Sequence, residues 1–577
     1  RFERSAASTA WLEHRDGHWQ AFTWAQVRAR AARFQAALER CALNPGDRVA
    51  VMLRNGVDWG CMELACVGLG LVVVPVYAND RPDNAAWVLG HSGARVLLTG
   101  TAAWQALRAD PDLPALEAVV LADALPGTHD APALALADWL GVGAADAGDY
   151  RVRALDPAAP AAIVYTSGTT GRPKGVVLSH GAVLWNVAAA VKRVPLRTDD
   201  RLLSFLPLSH TLERTAGFYA PLLGAAEVAF ARGIAELPAD LMSARSTTVV
   251  SVPRIFERAQ RTLRHTWARW PAPLARAHAA LLAAAADAYQ HAQGDGTPRP
   301  RAWAVRAPLA RLAGWPLRRS FGGRLRQAIC GGAPLARNTA RLFAGAGMPI
   351  LEGYGMTESA PVLTVNPPHA NRLGTVGPAL DDVTLRLADS GELLAQSPGL
   401  MDGYWHNPEA TAQALDAGGW LHTGDLAHEQ DGYWRITGRL KDILVLANGE
   451  KVSPADLEQA IAADPLIAQV LVVGEGRPFL AALLVLDARQ WHTLAPALGL
   501  DPADPASLSD DGARRAVLHR VDRALSAQPG YARVRAVHLS LEAWTVENGL
   551  LTATLKPRRP AILEGHDHAV AALYRGH

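Results

Sequence analysis

The chain has 577 residues, too many for a single hydrophobic core, so two or more domains are expected. A hydrophobic share of 49% against 19% charged residues excludes a disordered polymer, and a net charge of +2 gives no global argument for binding nucleic acid. Cys41, Cys61, Cys66 and Cys330 lack the spacing of a zinc site or a disulfide framework, and no apolar run approaches the ~20 residues of a membrane span, so a cytoplasmic protein is expected.

Residues 18–23 read as a strand, and Thr23 then stands as N-cap of a helix whose Val27, Ala31, Phe34 and Leu38 recur at helical spacing. Pro45, Gly46 and Asp47 turn the chain into an apolar strand over 48–53. A helix over about 57–68, a strand over 72–77, a helix near 82–91 and a strand over 94–98 continue the alternation. This rhythm predicts a layered α/β domain with mostly parallel strands. Residues 110–155, rich in Ala, Asp and Pro, read as surface connections.

An apolar strand over 161–164 leads into Tyr165-Thr166-Ser167-Gly168-Thr169-Thr170-Gly171-Arg172-Pro173-Lys174-Gly175, and residues 176–178 read as the strand leaving it. The glycines let the backbone turn back and bring its N–H groups close to an anion. Thr166, Ser167, Thr169 and Thr170 add hydroxyls, and Lys174 adds charge. That is the chemistry of a phosphate cradle. It is not a Walker A loop, because Arg172 and Pro173 separate Gly171 from Lys174 and no Ser or Thr follows the lysine. A polar turn between strands draws on the same residue types, so the loop alone does not decide.

Residues 201–210 form a further buried strand that ends in a loop at His210, and strands over 227–230 and 247–252 follow. Residues 258–326 differ: thirteen arginines face only Asp287 and Asp295, along Ala/Leu-rich helical text broken at 294–298. Such helices either rest on an anionic membrane surface or form a solvated insertion. The α/β pattern returns over 325–334 and 350–359. Residues 374–437 break into short strands and turns, as in a β-rich subdomain, and the pattern changes again at Gly438-Arg439-Leu440-Lys441-Asp442. The remainder reads as a small α+β unit, with a helix over 456–463 and strands over 470–473 and 482–486.

Taken together, six segments stand in the order and spacing of the adenylate-forming acyl-CoA synthetase superfamily, which the chain resembles over essentially its whole length. They are residues 165–180, Gly331-Gly332-Ala333-Pro334-Leu335, Gly353-Tyr354-Gly355-Met356-Thr357-Glu358, residues 419–425 ending in Asp425, residues 438–442, and Leu551-Thr552-Ala553-Thr554-Leu555-Lys556. Residues 206–214, residues 252–258 and the ending at Lys556 are similar to the long-chain fatty-acid branch, although Ala553 stands where that branch usually has proline.

The resemblance implies an adenylation domain over 1–437, a hinge over 438–442 and a mobile C-terminal lid over 443–577. It implies ATP-dependent ligation of a medium- or long-chain fatty acid to coenzyme A through an acyl adenylate. Two alternatives stay open: an acyl-AMP or aryl-CoA ligase with another acceptor or acid, and a nucleotide- or acyl-binding protein without turnover.

The resemblance also assigns roles. Thr166, Ser167, Gly168, Thr169, Thr170, Gly171 and Lys174 cradle the β- and γ-phosphates, and Glu358 with Thr166 holds Mg²⁺. Gly331, Gly332, Ala333, Pro334, Glu352, Gly353, Tyr354, Gly355, Met356 and Thr357 line the nucleotide pocket, with Tyr354 on adenine and Thr357 near the α-phosphate. Asp425 takes the ribose hydroxyls, with Ile436 and Arg439 beside them. Lys556 joins carboxylate to α-phosphate, His210 lines the acyl or adenylate site, Lys441 sits at the hinge, and Gly449 lies on the face that guides CoA. Peripheral contact with an anionic membrane at the inner face is a further expectation.

Overall fold

Thr23 caps its helix as the sequence predicts. In the computed structural model, which describes residues 6–125, 132–141, 148–166, 172–267, 269–300, 303–526, 528–545, 548–552 and 557–575, the Thr23 hydroxyl accepts from Gln26 N. The Gln26 side chain accepts in return from Thr23 N at 2.8 Å. Val27, Ala31, Phe34 and Leu38 of this helix, Trp24–Arg40, are buried and pack with Val57–Leu69. The second helix is buried on nearly every side because it lies between two sheets, contributing to one core with Trp11 and Phe230 of the first sheet and Val49, Val51 and Val96 of the second.

The first eight-stranded sheet runs, in spatial order, His18–Thr23, Thr9–Arg15, Glu227–Phe230, Arg201–Ser204, Thr248–Ser251, Gln327–Cys330, Ile350–Gly355 and Val362–Val365. Its interior pairs are parallel, and the outermost pair at each edge is antiparallel. The second runs Ala133–Ala135, Ala118–Leu121, Ala94–Thr99, Arg48–Met52, Val72–Pro75, Pro160–Thr166, Lys174–Ser179 and Gly403–Tyr404. It is parallel as far as Pro160–Thr166 and antiparallel beyond.

Two expectations need correction. Residues 110–155 are not all connection, since Ala118–Leu121 and Ala133–Ala135 extend the second sheet and Val119, Val120 and Leu121 are fully buried. Strands this short leave no periodicity; Ala118–Leu121 pairs in parallel with Ala94–Thr99, and Ala133–Ala135 pairs in parallel with Ala118–Leu121. Nor does all of 374–437 form one β-rich unit. Thr384–Leu387, Glu392–Gln396, Leu421–Gln430 and Tyr433–Arg439 make an antiparallel four-stranded sheet, but Gly403–Tyr404 leaves it to pair with Lys174–Ser179.

Strand Tyr433–Arg439 continues through Gly438 and Arg439, and a single 3₁₀ turn, Leu440–Asp442, follows. Beyond it Ile467–Val473, Leu480–Leu486 and Val534–Ser540 form a three-stranded sheet. Its middle strand is buried at every position because separate apolar clusters cover its two faces.

The arginine-rich region is helical: Pro253–Trp267, Ala272–Ala292, Trp303–Ala313 and Trp315–Ser320. Ala272–Ala292 packs against Arg337–Gly345 so closely that a Cβ on Gly345 would stand 2.2 Å from Leu282 O, and Arg341 pairs with Asp287 at 2.6 Å. No helix among the described residues is long and apolar enough to cross a membrane.

Candidate active site

The end of strand Ile350–Gly355 sets the geometry. It folds back on Val362–Val365 so tightly that a Cβ on Gly355 would lie 1.8 Å from the Pro361 carbonyl oxygen, so this position is closed to any other residue. The intervening turn, Thr357–Ser359, presents Thr357 and Glu358. Glu358 is buried and its Oε1 accepts from the Tyr404 hydroxyl at 2.8 Å. Burial pushes its carboxyl above the usual glutamate range, opposed by the Tyr404 hydrogen bond and by the charges of Arg439 and Lys174. The Lys174 ammonium stands 5.0 Å from the Tyr404 ring centroid, and Lys174 is the register partner of Thr166 across the second sheet. Thr166, Lys174, Tyr404 and Glu358 therefore form one contiguous group.

Beside it, Tyr354 donates from its hydroxyl to Asp425 Oδ2 at 2.7 Å, and Arg439 Nε donates to Asp425 Oδ1 at 2.9 Å. Asp425 is buried, and its N–H donates to Thr423 Oγ1 at 3.1 Å. Asp425 and Arg439 are register partners on adjacent strands, which brings two residues fourteen apart in sequence into an ion pair.

The turn at 331–334 lies against this strand end. Gly331 N donates to Ser251 O at 3.2 Å, a Cβ on Gly331 would come within 3.6 Å of Gly353 O, and Ala333 and Pro334 are exposed. Gly332 has φ +82°, a left-handed conformation that suits glycine. Glu352 accepts from Gly374 N at 3.3 Å and from the Leu335 amide, and burial pushes its carboxyl up to about 7.

His210 Nδ1 accepts from Leu212 N at 3.2 Å and so caps the short helix Thr211–Glu213. Thr211, next in the chain, lies 3.4 Å from Thr357, hydroxyl to hydroxyl. Met356 packs with Tyr354 against the apolar cluster below. Ile436 pairs with Ala427 on the four-stranded sheet. Lys441 is exposed in the turn after that sheet, and Gly449, at φ +84°, forms the tight turn between Leu444–Val445 and Lys451–Val452. Ser167, Gly168, Thr169, Thr170, Gly171 and Lys556 lie outside the described residues.

Behind Thr357 sits a charged group that sequence reasoning missed. Arg214 donates to Glu63 Oε1 from Nε at 3.1 Å and from Nη2 at 2.5 Å, and the Tyr219 hydroxyl donates to the same oxygen. Arg214 and Tyr219 border a cavity of about 10 Å³, together with Thr211, Thr215 and Ala360. Glu213, adjacent in the chain, is fully buried, and burial pushes its carboxyl up to about 8.

Residues 2–405 match the AMP-binding enzyme family and residues 441–577 match the C-terminal domain of AMP-binding enzymes.

The chain belongs to the AMP-binding enzyme family.

Among relatives of this AMP-binding enzyme, it is 33% identical to the long-chain-fatty-acid–CoA ligase FadD15 of Mycobacterium bovis, over 97% of this chain and 93% of the relative. It is 28% identical to human long-chain-fatty-acid–CoA ligase 6, over 96% of this chain and 83% of that one. Its fold matches the adenylation domain of a carboxylate reductase from Mycobacterium chelonae with a TM-score of 0.77 at 22% identity, covering 99% of this chain and 90% of that one.

Tyr404 and Thr211 are the site residues missed from sequence. A Tyr following the Asp402-Gly403 turn was the available signal, but only the pairing of Gly403–Tyr404 with Lys174–Ser179 brings Tyr404 to Glu358.

The donor set around Glu358 suits a hard cation carried in on phosphate. A single buried carboxylate leaves most coordination positions to phosphate oxygens and water, as magnesium prefers, and no cluster of three His, Cys, Asp or Glu side chains occurs among the described residues.

The Tyr404 hydroxyl offers a direct test. Tyr404→Phe keeps the ring beside Lys174 but removes the donor to Glu358, and is expected to lower kcat/KM for adenylation roughly tenfold, since a hydrogen bond to a charged group contributes ~1.5–3 kcal/mol. Unchanged pyrophosphate release in the variant would show that the hydroxyl serves packing alone.

Proposed function

We propose that this AMP-binding enzyme joins a medium- or long-chain fatty acid to coenzyme A through an acyl adenylate, releasing AMP and pyrophosphate. The observation that carries the reading is the convergence of Lys174, Tyr404 and Glu358 with Tyr354, Asp425 and Arg439 at one strand end. The names of the long-chain ligases it resembles over nearly its whole length support the substrate class.

A carboxylate resists attack by a thiol because its carbonyl is electron-rich and oxide is a poor leaving group. The fatty-acid carboxylate instead attacks the α-phosphorus of ATP, the bond to the β-phosphate oxygen breaks, and pyrophosphate departs. The CoA thiolate then adds to the acyl carbonyl and AMP leaves.

The first step brings two anions together, so it depends on fixed positive charge and alignment. Thr166, Lys174 and the loop between them hold the β- and γ-phosphates. Gly331 to Pro334, Glu352 and Gly353 to Thr357 border the base and α-phosphate, with the Tyr354 ring against adenine and Ile436 nearby. Asp425 accepts from the ribose hydroxyls beside its pair with the Arg439 guanidinium, which lies toward the phosphates. Glu358, with Thr166, would hold Mg²⁺, which when bound neutralises phosphate charge. Lys556 bridges carboxylate and α-phosphate, and His210 with Thr211 borders the acyl carboxylate.

The chain from 443 onward turns about 438–442, at Lys441, after adenylation. This withdraws Lys556 and brings the turn at Gly449 to the CoA side. The protein works in the cytoplasm, with peripheral contact to an anionic membrane.

The test is pyrophosphate release over carboxylic acids from acetate to oleate, plus benzoate, each with and without CoA. Turnover that CoA stimulates and that peaks at the longer chains is the expected result. Release indifferent to CoA would move the acceptor to another thiol, a peak at benzoate would replace the fatty acid, and ATP binding without release would replace the enzyme with a binding protein.

A further inference from the structure

The apolar stripe of helix Ala272–Ala292 runs past its support. His278, Leu282, Ala285 and Ala286 are buried, whereas Leu274, one turn earlier on the same face, is open to solvent. The neighbouring helices behave alike, with Leu309, Leu312 and Trp315 recurring every third residue on an open face.

These residues gather at one end of the insertion. His278 Nε2 and Ala313 O are 3.0 Å apart, which ties the start of one helix to the end of the other, and the Trp270 ring lies 5.2 Å from the His278 ring. Leu274, Leu309, Leu312 and Trp315 are each 50–70% exposed, far more than large apolar side chains at a protein surface require.

The same end is basic. Arg269, Arg276, Arg311 and Arg319 are exposed around it, and the Arg319 guanidinium lies 5.2 Å from the Trp315 ring centroid. The two acids of residues 258–326 are engaged elsewhere, Asp287 with Arg341 and Asp295 with Gln290 at 2.6 Å each. Apolar side chains ringed by exposed guanidinium groups match a layer that is anionic at its surface and hydrocarbon beneath.

We infer that the end of the insertion formed by Trp270, Leu274, Leu309, Leu312 and Trp315, with the arginines around them, is the surface by which the protein docks on an anionic lipid bilayer. This deepens the membrane contact put forward above by naming its residues. It rests on that reading only for its purpose, because docking is measured without acid, ATP or CoA. Arginines attract the surface at distances comparable to the Debye length, and the leucines and tryptophans then enter the interface.

Co-sedimentation of the full chain with phosphatidylcholine vesicles, with and without phosphatidylserine, tests it. Binding is expected to require phosphatidylserine, to weaken as salt rises, and to fall roughly tenfold or more in the double variant Leu309→Glu/Leu312→Glu. Arg269→Gln/Arg276→Gln is expected to weaken binding and flatten its salt dependence. Both pairs are exposed and distant in sequence from the nucleotide site, so melting temperature and turnover on a water-soluble acid should match the parent. Binding equal on neutral and anionic vesicles, binding untouched by both variants, or no binding would overturn the proposal. So would a dimer in sedimentation velocity that Leu309→Glu/Leu312→Glu dissolves while vesicle binding persists. Vesicle binding by a chain that forms no acyl-CoA would remove the ligase reading and leave this one standing.

Discussion

Lys556→Ala is expected to lower acyl-adenylate formation by about 10²–10³-fold or more, and to leave thioester formation from supplied acyl adenylate within about twofold of the parent. In the first half-reaction a carboxylate approaches a triphosphate, and in the proposed role of Lys556 a single ammonium bridging the two would reduce their repulsion where charge accumulates. In the second half-reaction the acyl group is already neutral and activated, the nucleophile is sulfur, and the lysine has no anion pair to bridge. Single-turnover assays of each half, with oleate and ATP or with oleoyl-AMP and CoA, measure the split. Equal losses in both halves would mean that Lys556 holds the fold of the C-terminal part instead of the reacting groups.

Stability is expected to fall as pH rises from about 5 to above 8, and Glu213→Gln is expected to remove a large part of that fall. Glu213 is fully buried, and its carboxyl is pushed from 4.5 up to about 8. Because the folded chain holds this proton more tightly than the unfolded chain, its contribution is fully present below pH 4.5 and is lost as pH rises through about 8. The difference amounts to roughly 5 kcal/mol at pH 9, at 1.36 kcal/mol per pH unit. Glutamine keeps the shape and cannot ionise, so urea unfolding from pH 5 to 9 should show the variant gaining on the parent as pH increases. Glu352, pushed up to about 7 by burial, adds a smaller slope of the same sign that both proteins share. Parallel profiles for parent and variant would mean that Glu213 ionises in the fold without penalty.

The Glu213 environment could not have been anticipated from the residues around it. Residues 206–214 are legible as a motif, but the burial of Glu213 and the pairing of Arg214 with Glu63, 151 residues away, arise from packing a helix between two sheets. Breaking that pair would leave a charge without a partner in the interior, which is why both members matter together.

The features legible along the chain are local and contiguous. The Thr23 cap and the buried stripe behind it follow from side chains three or four residues apart. The α/β rhythm follows from runs of apolar residues, and the order and spacing of the six motif segments carry the family. Tertiary structure decided what those segments touch. Ala118–Leu121 and Ala133–Ala135 became strands by pairing in parallel, the first on Ala94–Thr99 and the second on the first, and only Val119 and Val120 favour extension by composition. Gly403–Tyr404 left its own subdomain for the second sheet and so delivered Tyr404 to Glu358. Periodicity and propensity report only on the few residues around each position. A partner chosen by sheet register, or a proton held by burial, depends on groups that meet only once the chain has folded.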